Sequence, residues 1–133
     1  GRHTASASLG TGAWASIDLD TEDLDSHAGH STSVTPSRYT AQVSGWYYAF
    51  GTVGYATNAT GVRGAAFYIN GTYLLRKQMT NSFSGANANV TTAGLIYLAA
   101  GEYVELQGYQ SSGGNLAMSG SDHPTLQLVR ARN

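Results

Sequence analysis

The chain has 133 residues, with seven Lys and Arg against eight Asp and Glu and a formal net charge of -1. It has no cysteine, which excludes disulfides, thiolate metal sites and a cysteine nucleophile. No basic cluster is present, so nucleic acid is not expected as a partner. The longest apolar run, Ala93 to Ala100, is far short of the ~20 residues of a spanning helix, so no membrane insertion is expected.

The length fits one domain over residues 1–133. Only 11% of residues are charged, and Gly, Ser, Thr and Ala fill the gap. That composition suits short strands, tight turns and a surface that is polar without being ionic. The chain opens GRHTAS, without Met, which is the expectation for a domain processed from something longer.

In chain order, apolar residues alternate with polar ones and do not recur at helical spacing. Strands are expected at TASASL (Thr4–Leu9), AWASIDL (Ala13–Leu19), YTAQV (Tyr39–Val43) and WYYAFGTVGY (Trp46–Tyr55). More follow at VRGAAFYI (Val62–Ile69), TYLLRKQ (Thr72–Gln78) and NVTTAGLIYL (Asn89–Leu98). The last three are YVELQGY (Tyr103–Tyr109), NLAMS (Asn115–Ser119) and TLQLVRA (Thr125–Ala131). About ten short strands predict an all-β, two-sheet antiparallel sandwich. Asn70-Gly71 between two strand-like runs is a strong hairpin signal, since both residues accept the positive φ of a type I′ turn. NATG (58–61), AAGE (99–102) and SSGG (111–114) mark further breaks.

The run from Trp46 to Tyr55 is aromatic on both faces. Tyr47, Ala49, Gly51, Val53 and Tyr55 form one; Trp46, Tyr48, Phe50, Thr52 and Gly54 form the other. A half-solvated strand should be apolar on one face only. A symmetric oligomer covering the second face is the economical expectation.

The acidic stretch DLDTEDLDSHAGH, Asp18 to His30, holds five of the eight carboxylates and two of the four histidines. An EF-hand reading would start from Asp18, Asp20 and Glu22. It fails at Asp23 and Gly29, where Gly and Glu are required. A zinc reading would use His27 and His30 with a carboxylate. The preferred reading is a strand end, Ile17 and Leu19, running into a solvated, hydrogen-bonded loop with no cofactor, calcium being the alternative. No nucleophile elbow, His-Glu-x-x-His or phosphate loop occurs, so no catalytic residue is assigned. Glu102 and Glu105 lie three apart, with Glu102 expected in a turn. His3 and His123 are isolated. The sequons at Asn58, Asn70 and Asn89 read as turn or strand-edge residues. Nine Tyr and two Trp in a low-charge domain suit carbohydrate recognition, with Trp14, Tyr73 and Tyr109 the expected exposed rings.

A further set of motifs comes in a fixed order. Gly45 and Tyr47 open one strand, and Asn70-Gly71 ends another. Leu98, Gly101, Glu102, Val104, Leu106 and Gln107 follow, then Ser112-Gly113 and a final apolar strand. From about Tyr39 to Arg132 this series resembles the globular head domain of complement C1q, in the C1q/tumour-necrosis-factor superfamily. The first 38 residues are similar to the prokaryotic and bacteriophage branch, where an acidic stretch precedes the Gly-x-Tyr strand. The resemblance implies a ten-strand jelly roll assembled as a homotrimer. Tyr47, Val53, Leu98, Val104 and Leu106 would then lie in the sandwich core. Tyr48 and Phe50, with Thr125 and Gln127 of the last strand, would lie at the trimer interface. The function expected is a non-enzymatic module at the tip of a phage tail fibre, head fibre or spike, exposed on the virion or outside the cell. It would bind a host-surface glycan or protein. The alternatives are a bacterial adhesion domain of the same fold and, last, a small virion polysaccharide hydrolase.

Overall fold

A computed structural model describes residues 1–2, 7–118 and 124–131. The described residues form ten strands: β1 (Ser8–Leu9), β2 (Ala15–Ser16), β3 (Arg38–Thr40), β4 (Gly45–Tyr55), β5 (Val62–Ile69), β6 (Tyr73–Asn81), β7 (Ala88–Leu98), β8 (Tyr103–Gln110), β9 (Leu116–Ala117) and β10 (Thr125–Arg130). All pairings between strands are antiparallel. A three-stranded sheet runs β10-β4-β7, a larger one runs β2-β8-β5-β6 with β3 also on β8, and β1 pairs β9. Along β8, β3 takes Tyr103–Glu105 and β2 takes Gln107–Gly108, so two short pieces lie end to end on one edge. Residues 17–37, with the acidic stretch, are the excursion between them.

The short elements are shorter than their sequence patterns. Only Ala15–Ser16 of AWASIDL is paired as a strand, although the Ile17 N–H still bonds the Leu106 carbonyl at 3.0 Å. In YTAQV the strand is shifted to Arg38–Thr40, because Ala41 turns to exchange bonds with Gly101 and Glu102. The long strands follow their alternation closely. Asn70 and Gly71 have φ of 49° and 66°, the signature of the expected I′ turn between β5 and β6.

The core lies between the two larger sheets. Tyr47, Ala49, Val53 and Tyr55 of β4 face Ala65, Phe67 and Ile69 of β5 and Val104 and Leu106 of β8, all buried, with Leu98, Ile17 and Leu19 in the same cluster. At Gly51 a Cβ would lie 2.6 Å from Leu106 Cδ1 and 3.1 Å from Phe67 Cε1. Bare backbone there lets those side chains of the facing sheet sit against β4.

Three buried polar side chains are tied to backbone. Arg63 is fully buried and has no carboxylate partner among the described residues; its guanidinium donates to the Asn58, Thr60 and Val62 carbonyls and ties down the β4–β5 loop. Gln110, also fully buried, donates to Leu9 and Gly114 and accepts from Ser112 N–H. The Tyr55 hydroxyl donates to the Gly64 carbonyl and accepts from Tyr109 N–H, bridging β5 and β8 from across the core.

One side of the sandwich is closed by a bulge. Ala65 pairs Gln78 and Phe67 pairs Leu75, so Arg76 and Lys77 together oppose Ala66. Arg76 takes φ 55° and its guanidinium reaches the Leu95 carbonyl of β7, while Thr92 of β7 donates back to the Arg76 carbonyl. A Cβ at Gly94 would collide with that guanidinium.

Two expectations follow. Gly51→Ala overpacks the core and lowers stability by about 1–3 kcal/mol. Gly114→Ala, with open space around it, changes stability by less than ~0.5 kcal/mol. Urea unfolding of both variants reads the contrast. Burial raises the Tyr55 phenol well above its ordinary value of 10.0. The unfolded chain therefore releases that proton first, and the stability it contributes is present below pH 10 and falls as pH rises beyond it. Thermal midpoints measured from about pH 8 to pH 11 should drop above 10 in the parent. Tyr55→Phe should be flatter across that range, and less stable at neutral pH by about 1–3 kcal/mol, because the Gly64 carbonyl and Tyr109 N–H lose their partner.

Candidate functional site

The dominant surface feature is the outer face of the three-stranded sheet. Period-two alternation in β4 that buries Tyr47, Ala49 and Val53 turns Trp46, Tyr48 and Phe50 outward. The register sets neighbours beside them. Tyr48 lies between Val129 and Leu95, Phe50 between Gln127 and Ala93, and Thr52 between Thr125 and Thr91. Trp46 pairs Tyr97, with ring centroids 5.5 Å apart in an edge-on arrangement. Six large apolar side chains of this face are exposed by between 38% (Leu95) and 59% (Val129). The face is graded: aromatic at the Trp46–Tyr97 end and hydroxylated at the other, where the Thr52 and Thr91 hydroxyls are 3.1 Å apart.

Tyr48, Phe50, Thr125 and Gln127 thus share one face. Leu95, Tyr97 and Val129 join them and escaped the sequence reading, because their place depends on pairing with β4. Tyr47, Val53, Leu98, Val104 and Leu106 lie together inside the sandwich, each at most 3% exposed.

The acidic stretch is folded on itself. Asp25 accepts from the His27 and His30 backbone N–H groups, and Thr21 donates to Asp20. Asp23 meets Arg2 at 3.1 Å. The His30 ring lies between Glu22 Oε2 and the Pro36 carbonyl, each at 3.0 Å. Both are acceptors, so the ring makes both bonds at once only with a proton on each nitrogen. Gly29 is pressed onto the Tyr39 ring, where a Cβ would overlap the ring carbons, and its carbonyl accepts from Thr40. Among the described residues no three His, Asp or Glu side chains converge to hold an ion. Asp18 is exposed and Asp20 half-buried, and Glu22 is directed to His30.

Among the described residues the buried carboxylate is Glu105, which accepts from the Ser37 hydroxyl and so fastens the far end of the excursion to β8. Glu102 lies in the preceding turn and accepts from Ala99 N–H. The two do not form a pair. Asn58 is in a loop, Asn70 in the hairpin turn and Asn89 in β7. His3 and His123 lie outside the described residues. Among the described residues no helix is long and apolar enough to cross a membrane.

The three rings expected at the surface separate into two places. Tyr73 is 53% exposed at the start of β6, beside the hairpin turn. Trp14 and Tyr109 are only partly exposed, because each covers the other: their ring centroids are 5.4 Å apart and tilted by 38°. They lie on the outer face of the larger sheet. Met79, which pairs with Gly64 beside Tyr109, is about 20 Å from Tyr73 along β6.

A scan against protein-family models finds no match, and no curated protein matches. Solved structures do. The chain is similar to murine APRIL at 14% identity and TM-score 0.64, covering 95% of this chain and 98% of that one. It is similar to the globular domain of zebrafish complement 1qA at 11% identity and TM-score 0.60, covering 96% and 98%. Eiger TNF from S. frugiperda is similar at 12% identity and TM-score 0.57, covering 96% and 92%. Near-complete coverage of both partners at such low identity establishes the architecture: the chain has the two-sheet jelly-roll fold of C1q and TNF domains.

Proposed function

We propose that the chain is a non-enzymatic trimerisation and binding module. It is carried on a bacteriophage particle, at the tip of a tail fibre, head fibre or spike, and it contacts a host-surface glycan or protein. The observation that carries the assembly is the outer face of β10-β4-β7. Its six half-exposed apolar side chains leave on the order of 500 Å² of apolar surface in water, at the upper end of what a monomer shows. Closed symmetric association removes such a patch from water with the same residues in every protomer. Tyr48 and Phe50 are its centre, and Gln127 and Thr125 extend it along β10.

The three-fold number rests on the C1q/TNF resemblance of residues 39–132. The virion location rests on the likeness of the first 38 residues to the phage branch. The binding role fits a domain whose exposed apolar surface and loops outweigh any convergent set of acid–base groups. Assembly needs no ion in this reading, because the carboxylates Glu22, Asp23 and Asp25 already have partners within the loop or at Arg2.

Light scattering at low micromolar concentration should give about 42 kDa, three times the 13.9 kDa chain, with and without chelator. Tyr48→Glu and Phe50→Glu should each return the mass to 13.9 kDa, since a charge at the centre of a closed interface is left unpaired. A parent protein that is monomeric in both buffers would defeat the assembly. Loss of the trimer on chelation alone would transfer its support to an ion at Asp18, Asp20 and Glu22.

A further inference from the structure

We infer that the outer face of the larger sheet, on the side of the sandwich away from the β4 aromatic face, carries a stacking platform for a neutral pyranose sugar. It is formed by Trp14, Tyr109 and Met79 over Gly64. Pairing of Ala15 with Gly108 brings Trp14 level with Tyr109, and Gly64 pairs with both Tyr109 and Met79. Four residues from four adjacent chain segments therefore make one row across the sheet. A Cβ at Gly108 would meet Tyr55, Leu9 and Ile17 in the core, so Tyr109, next along the strand, points away from the core.

Gly64 is the floor of the row. A Cβ at Gly64 would lie 2.8 Å from Trp14 Cη2, 2.6 Å from Met79 Sδ and 3.3 Å from Tyr109 Cβ. The indole and the thioether thus close over bare backbone. Tyr55 holds the floor from beneath, through its bonds to the Gly64 carbonyl and Tyr109 N–H. The backbone under the row is therefore tied to the core.

The polar tips distinguish this surface from simple packing. Neither the Trp14 indole N–H nor the Tyr109 hydroxyl bonds to any described residue, and neither is sealed from solvent. Both tips are therefore open to a hydroxyl, from water or from a ligand stacked on the rings. Beside the row, the Gln107 amide donates to the Ser16 hydroxyl at 3.0 Å, which fixes an amide and a hydroxyl at the edge of the rings. The row itself carries no charge. A pyranose offers a C–H face to stack on rings and a rim of hydroxyls to meet an indole N–H, a phenol and the exposed Ser16 hydroxyl, which the buried Gln107 amide holds in place. That complementarity favours a neutral sugar over a charged or purely apolar partner. The inference rests on the binding-module reading, but not on trimerisation. In a trimer the three platforms would act together by avidity.

The test uses the whole domain with a panel of neutral oligosaccharides of glucose, galactose and N-acetylglucosamine. Saturation-transfer NMR detects contact, and calorimetry gives affinity. At least one saccharide should bind. Trp14→Ala, Tyr109→Ala and Gly64→Ala should each weaken it by at least ~10-fold, while Trp14→Phe, which keeps a ring, loses less. Thermal midpoint and native mass of every variant are measured alongside, and Met79→Ala provides a second, milder change should Trp14→Ala fail to fold. A trimeric parent that binds no saccharide of the panel at ~10 mM overturns the platform and leaves the assembly standing. Binding that survives Trp14→Ala and Tyr109→Ala also overturns it. Capture of a host protein through these residues, without saccharide binding, overturns the sugar assignment. A monomeric parent that binds sugar through Trp14 upholds the platform and removes the trimer.

Discussion

At Gly51 the side chains of Leu106 and Phe67 rest against the backbone of β4, and the alternation of that strand has to meet this contact. A one-residue slip would put Phe50 or Thr52 where only a glycine fits, and would exchange the buried and exposed sets along the whole strand. With the register fixed, Tyr47, Ala49, Val53 and Tyr55 belong to the core and Trp46, Tyr48 and Phe50 to the outside. The neighbours β7 and β10 inherit this choice through pairing, which is how Leu95, Tyr97 and Val129 arrive on one apolar face. The same strand ends at Tyr55, whose hydroxyl reaches through the core to brace the opposite sheet. One strand thus links the face that would join protomers to the platform that would hold a ligand.

Much of this was legible in residues whose physics is local. The long strands announce themselves by period-two alternation, and Asn70-Gly71 states its own turn. Both faces of β4 could be written down from Trp46 to Tyr55 without any partner. What escaped is non-local. YTAQV and AWASIDL contain more strand-like residues than β8 can pair, because the two segments share one edge of it. Leu95 and Tyr97 looked like part of an apolar run until register placed them beside Tyr48 and Trp46. Trp14 and Tyr109 were separately visible as aromatics, yet nothing in the linear sequence brings them within 5.4 Å of each other. Arg63 gave no sign of being buried, since its partners are loop carbonyls and carbonyls have no sequence signature.

The polar groups of the domain follow one rule. Arg63, Gln110 and Ser37 with Glu105 each fasten an irregular segment to a strand, where a wholly apolar contact would leave backbone groups unpaired. The acidic stretch obeys it as well. Asp25 and His30 use their polarity to hold a tight loop against Tyr39, and the concentration of charge there is an architectural device first.

The bulge at Arg76 has a consequence beyond closing the sandwich. β6 and β7 are the terminal strands of their sheets, and an uncovered terminal strand is a template on which a foreign strand can add. Arg76 spends a strained backbone angle to swing its guanidinium onto the Leu95 carbonyl, and Thr92 answers onto the carbonyl of Arg76 itself. Each acceptor so occupied is one fewer rung for an intruder, and the bulge bends the strand away from the flat geometry that fibrils require. The edge is thereby guarded against strand-to-strand pairing with other copies of the same chain.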